Sequence, residues 1–160
     1  MAGRVKAIPE GYHTVTPYLA IRNAAQAIEF YKQAFNARET FRMAGPDGKI
    51  GHAELRIGDS IIMLSEENPQ GGCVSPAALN GTTVGLFLYV EDVDAAFNQA
   101  VKAGATVVMP VAEMFWGDRA GSLKDPFGYA WMVATHTRDL TKDEIKKGAD
   151  AFFAQMAKQS

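Results

Sequence analysis

His52, Glu54 and Arg56 stand at alternate positions of the stretch GHAELRIGDSIIML (51–64). In a strand, alternate residues share one face, so these three would form a single polar row. A histidine beside a carboxylate suits general acid–base chemistry, with Glu54 orienting the imidazole. The same pair can supply two ligands to a divalent cation, although two same-face residues fall short of a full ligand set. A third reading is a structural hydrogen-bonded pair on a solvated sheet face. A second stretch with chemical content is MFWGDRAGSLKDPFG (114–128), which sets Trp116 just before Asp118 and Arg119. An aromatic wall beside charge-pairing groups suits small-molecule recognition. Arg119 can fork onto a carboxylate or phosphate of a ligand, or pair with Asp118 inside the loop. Trp116 either lines a site or is buried with its indole N–H satisfied.

The elements that position the first row follow from Gly58-Asp59, a two-residue turn between two apolar-rich runs. Glycine first suits a type II′ hairpin. That turn sets Ile57 opposite Ser60, Leu55 opposite Ile62 and Ala53 opposite Leu64, which makes one face apolar. The other face pairs Arg56 with Ile61, Glu54 with Met63 and His52 with Ser65. A one-residue slip would exchange the two faces, so the turn decides where the histidine points.

The surrounding chain repeats itself. YLAIRNAAQAIEFYKQAFNA from Tyr18 and FLYVEDVDAAFNQAVKAGA from Phe87 share an apolar strand, a polar cap and an amphipathic helix. Asn23 and Asp92 occupy matching N-cap positions, and Gln26 stands where a capping-box partner of Asn23 would be. Ala24, Ala27, Ile28, Tyr31 and Phe35 form one helical stripe, and Val93, Ala96, Phe97 and Ala100 another. ELRIGDSIIML and SLKDPFGYAWMV are matching hairpins, so the unit is β-α-β-β-β used twice, about 11–66 and about 83–136. The two units share a single domain over 1–160, joined by a Gly- and Pro-rich linker at 67–82. A terminal helix over about 141–158 has Thr141 and Glu144 at capping-box spacing. Its stripe of Ile145, Ala149, Phe152, Phe153 and Met156 must cover this chain or a second subunit.

Tyr18, Phe87 and Tyr89 alternate with the helix-facing leucines 19, 86 and 88. They therefore line the polar-row side together with Met63 and Met132, an adaptable apolar lining. Aligned on the repeat, Ala120 and Ser122 replace His52 and Glu54, which leaves room for a ligand against the first unit.

Composition excludes several classes of function. With 48% hydrophobic and 21% charged residues over 160 positions, the chain is an ordinary globular one. A net charge of −2 without a basic run gives no support for nucleic acid or anionic membrane as partner. A single cysteine, Cys73, excludes an internal disulfide and fits a reducing compartment. No leader and no membrane-length apolar run is read, so the expected location is the cytoplasm. Phosphate loops, nucleophile elbows and Cys-x-x-Cys pairs are missing, as is a Gly-rich turn for S-adenosylmethionine.

The paired units, AIEFYKQAF in the first helix and DPFGYAW at the last hairpin resemble the vicinal oxygen chelate superfamily of glyoxalases, extradiol dioxygenases and bleomycin-binding proteins. GHAELRIGDSIIML and FWGDRAGSLKDPFGYAWMVATH resemble its PhnB-like branch in particular. The resemblance implies an α+β fold of two curled mixed sheets around a cleft, helices outside, assembled as a homodimer. It also places His52, Glu54 and Arg56 on the cleft side. Metal-dependent members carry a ligand on the first and last strand of each unit, which here falls on Thr16, Met63, Gly85 and Met132. None is a credible ligand for a hard or borderline cation. Either no cofactor is used, or a divalent metal sits at a relocated site built on His52 and Glu54, with Glu66 and His136 as further donors. The resemblance thus implies an enzyme of glyoxalase or dioxygenase type acting on a small oxygenated metabolite. The alternative is a metal-free small-molecule binding protein of the bleomycin-resistance type.

Overall fold

The computed structural model describes residues 5–158. Its elements run β1 (Tyr18–Ile21), α1 (Ala24–Phe35), β2 (Arg38–Ala44), β3 (Ile50–Ile57), β4 (Ser60–Glu66), α2 (Pro76–Leu79) and β5 (Gly85–Tyr89). They continue with α3 (Val93–Ala103), β6 (Thr106–Glu113), β7 (Asp118–Lys124), β8 (Ala130–His136) and α4 (Lys142–Met156). The fold is α+β, with the β-α-β-β-β unit present twice. Each unit makes its own four-stranded sheet, in the orders β1-β4-β3-β2 and β5-β8-β7-β6. First and last strands of a unit lie side by side in parallel, and the remaining pairs are antiparallel.

The β3–β4 hairpin has the register that its turn requires: Ile57 opposite Ser60, Leu55 opposite Ile62, and Glu54 opposite Met63. Of the two central residues only Gly58 has a positive φ, 58°, which is the II′ pattern. Ala53, Leu55, Ile57, Ile62 and Leu64 are buried beneath α1. His52, Glu54 and Arg56 turn the other way and are partly exposed.

The α1 stripe is buried as the periodicity predicts, and Phe30 and Ala34 are buried beside it. That width arises because α1 packs against α3 as well as its own sheet. Its N-terminus differs from expectation. Asn23 is left-handed (φ 66°, ψ 51°) and its side chain makes no cap, so the Asn23–Gln26 box does not form. The amides of Asn23 and Ala24 instead donate to the two carboxylate oxygens of Glu66, at 2.9 and 3.0 Å. A carboxylate answers the positive end of a helix better than an amide does. In α3 the expected cap is present, Asp92 accepting from the Ala95 amide at 3.0 Å. The stretch 67–82, expected as loop, winds a 3₁₀ turn at Pro69–Gly71 and the one-turn helix α2, which Ser75 caps.

Both units contribute to one hydrophobic cluster, with Tyr31, Phe35 and Leu55 from the first and Phe97, Leu123 and Trp131 from the second. Asp125 sits at their junction, 3% exposed. Its Oδ2 accepts from Tyr31 Oη at 2.7 Å and Trp131 Nε1 at 2.9 Å, and its Oδ1 from the amides of Phe127 and Tyr129, each at 2.9 Å. Burial pushes this carboxyl upward, against the bonds that favour its charged form.

Helix α4 starts with the Thr141–Glu144 capping box and buries no residue. It meets the chain at Phe115, whose ring centroid is 5.6 Å from that of Phe152, and it leaves Phe153 exposed. No helix among the described residues is long and apolar enough to cross a membrane.

Candidate functional site

The face of the first sheet opposite α1 brings two ionisable side chains into an apolar surround. In register across it lie Tyr18, Met63, Glu54 and Phe41, and Met43 stands beside His52. Tyr18, Phe41 and Met43 are each about half exposed, an unusual density of large apolar groups facing solvent on a sheet. His52 Nε2 lies 3.3 Å from Glu54 Oε1, and Tyr18 Oη 3.3 Å from His52 Nδ1. With the tyrosine donating to Nδ1, the ring proton belongs on Nε2, facing the carboxylate. The rings of Tyr18 and Phe41 have centroids 5.7 and 6.1 Å from that of His52.

The remaining oxygen of Glu54 accepts a hydrogen bond from the Tyr12 hydroxyl. That bond, with burial and the Glu54 charge, raises the phenol above its ordinary range, and Arg56 opposes the shift. Tyr12 has no counterpart in the sequence reading. It lies in an irregular segment before β1, and no periodicity announces a contact made by folding back. Arg56 continues the row, with Nη1 3.3 Å from the Asp59 carbonyl and Gly11 packed against its guanidinium.

The donor set does not fit a divalent ion. At the four positions usual for the resembled superfamily, Thr16 spends its hydroxyl on the His13 carbonyl at 3.2 Å, Met63 and Met132 offer thioethers and Gly85 has no side chain. The further donors expected for a relocated site are engaged elsewhere. Glu66 caps α1, and His136 is engaged by Asp118 and Asp139 at 2.8 and 3.0 Å. His52 and Glu54 already use their polar atoms on each other and on Tyr18 and Tyr12. No cluster of three His, Cys, Asp or Glu side chains able to hold a metal occurs among the described residues.

The second sheet holds the other candidates apart from these. Phe87 stands opposite Met132, which faces Ser122, and Tyr89 opposite Ala134, which faces Ala120. The rings of Phe87 and Tyr89 are 4.9 Å apart and about half exposed. Trp116, Tyr89 and His136 all donate to Asp118, at 2.8, 2.9 and 2.8 Å, and Asp118 is 2% exposed. Burial pushes its carboxyl up, and the three donors together bring it below its ordinary range. Asp118, and after it Asp139, raises the His136 imidazole. Arg119 is not part of this group. Being next to Asp118 on β7 it points to the opposite face, where it grips Asp94 of α3 with two bonds of 2.8 Å. Between the sheets a cleft of about 650 Å³ is lined by Phe87, Tyr89 and Trp131 on one side and Ile57, Ile61 and His13 on the other.

Comparison with known proteins agrees with this architecture. The profile of the Glyoxalase/Bleomycin resistance protein/Dioxygenase superfamily matches residues 12–133. An uncharacterised protein of Mycobacterium tuberculosis (strain H37Rv) is 45% identical over 135 residues, covering 82% of this chain and 79% of its own. The X-ray structure of the Arabidopsis thaliana gene product At5g48480 superposes with a TM-score of 0.63 at 30% identity, over 76% of this chain and 98% of that one. A PhnB protein from Bacillus cereus, named as a putative 3-demethylubiquinone-9 3-methyltransferase, shares the fold at 17% identity, with a TM-score of 0.60 over 77% of this chain and 99% of its own.

Proposed function

Because the chain belongs to the Glyoxalase/Bleomycin resistance protein/Dioxygenase superfamily, we propose that it binds a small oxygenated organic molecule on the His52 face of its first sheet, without a divalent ion at the positions usual for that superfamily. The observation that carries this reading is the setting of His52 and Glu54 among Tyr18, Phe41 and Met43, all half open to solvent. Such a surface offers a flat apolar body to stack on and a polar pair to orient an oxygen. A second reading, catalysis, is favoured by one feature: Glu54 holds the imidazole in a single orientation, as an orienting carboxylate does for a general base. Sheet strands also give that pair a rigid support.

The partner expected besides the ligand is a second copy of the chain. Helix α4 exposes Phe153, and both sheets leave aromatic faces uncovered. Its lone cysteine suits a reducing location such as the cytoplasm.

Calorimetric titration with a panel of aromatic and carbonyl compounds tests the reading. One ring–ring contact contributes about 0.5–1.5 kcal/mol beyond area burial, so Tyr18→Ala should weaken binding by at least about two- to tenfold. His52→Ala should leave measurable affinity in a binding protein and abolish turnover in an enzyme. Saturable binding that ignores Tyr18, His52 and Phe41 would place the site elsewhere.

A further inference from the structure

We propose that the molecule taken by this face is a phenol, and that it binds by displacing Tyr12, whose side chain occupies the place of the ligand. The inference rests on the reading of the His52 face as a ligand site. Among residues 5–15 every residue is exposed except Tyr12, and none of them lies in a helix or strand. Of the hydrogen bonds made by these residues, the one that reaches a sheet is that of the Tyr12 hydroxyl to Glu54. An otherwise solvated segment is thus pinned to the candidate site through an aromatic hydroxyl.

The chemistry of the acceptor restricts what can replace that hydroxyl. An ionised Glu54 offers lone pairs only, and its other oxygen already faces His52 Nε2. A replacement must donate a hydrogen bond, which excludes ketones and ethers, and a carboxylate would add like charge. An ammonium group donates, but Arg56 stands next along the same face and disfavours a second cation. An aliphatic alcohol donates, yet offers no aromatic face to the rings of Tyr18 and Phe41, which flank His52 and remain half exposed. A phenol satisfies both demands and keeps its proton at neutral pH.

A ligand that must first evict Tyr12 binds with its intrinsic affinity reduced by the fraction of molecules that are open. The test is titration of 4-methylphenol, toluene and 4-methylbenzoate into the unaltered chain, Tyr12→Ala and Tyr12→Phe, each checked for cooperative melting. Expected is a gain of at least tenfold in affinity for 4-methylphenol in Tyr12→Ala, a smaller gain in Tyr12→Phe, and no comparable gain for the other two compounds. Equal affinity of 4-methylphenol for the unaltered chain and both variants would mean that the ligand sits beside Tyr12, overturning displacement while the binding reading stands. An equal gain for toluene or 4-methylbenzoate would overturn the phenol assignment. Failure of 4-methylphenol to bind any of the three proteins, while other compounds saturate the face, would overturn the inference alone. No saturable binding of any aromatic or carbonyl compound would overturn both.

Discussion

Removing the buried carboxyl of Asp125 should destabilise the protein more than any single partner of that carboxyl does. Tyr31 Oη and Trp131 Nε1 both donate to Oδ2, and both residues are buried. Asp125→Ala would orphan these two donors, at about 1–3 kcal/mol each, besides the amides of Phe127 and Tyr129. The sum, about 2–6 kcal/mol before the amides, is comparable with the whole stability of a small protein, about 5–15 kcal/mol. Tyr31→Phe removes one bond and leaves the carboxyl three donors, so about 1.5–3 kcal/mol is expected if the carboxyl is charged. Asp125→Asn falls between. Its carbonyl can serve the two amides, and the Tyr31 hydroxyl can turn to accept from its NH₂, but the Trp131 N–H then has no acceptor. Urea denaturation followed by tryptophan fluorescence reads all three, since Trp131 reports on the junction itself. With a slope of about 2 kcal/mol per M, Tyr31→Phe should lower the midpoint by about 1 M. A midpoint unchanged in Tyr31→Phe, or no lower in Asp125→Ala than in Tyr31→Phe, would refute this account of the junction.

Two further tests concern other regions. Asp118 and Asp139 raise the His136 imidazole, so its stabilisation is complete below the unfolded value near 6.5 and is lost as pH rises through the higher folded value. Melting curves between pH 6 and 8.5 should show the unaltered chain losing stability relative to His136→Gln, and parallel curves would contradict this. At Gly121 an added Cβ would stand 2.5 Å from Phe97 Cε2 and 3.0 Å from Val111 Cγ2. Gly121→Ala should therefore cost about 1–3 kcal/mol, and at about 2–4 °C per kcal/mol differential scanning calorimetry should find Tm lower by several degrees.

What could be read from the sequence was whatever local rules determine. The Gly58-Asp59 turn and the two-residue period of a strand placed His52, Glu54 and Arg56 on one face before any tertiary contact was known. The 3.6-residue stripes of α1 and α3 identified their buried sides in the same way, and the Thr141–Glu144 box identified the start of α4. Contacts between distant segments had no such signal. Tyr12 reaches Glu54 across 42 positions, and Glu66 reaches the start of α1 across 43. Neither spacing is marked by a period or a turn. Arg119 is a different case. The sequence left it in a loop where it could pair with Asp118, but β7 begins at Asp118 and so sets the two on opposite faces, and the position of α3 makes Asp94 its partner.

The junction at Asp125 also bears on the order in which the molecule assembles. Within each unit, neighbouring strands such as β3 and β4 are joined by a two-residue turn, whereas Tyr31 and Asp125 are 94 positions apart and Tyr129 and Ala20 are 109 apart. Loop closure costs more as that separation grows, so hairpins and helices gather before the units dock. Bonds formed after the rate-limiting step affect the rate of unfolding and leave the rate of folding nearly untouched. Where docking follows that step, the carboxyl that joins the two repeats governs how long the native state persists and not how quickly it is reached.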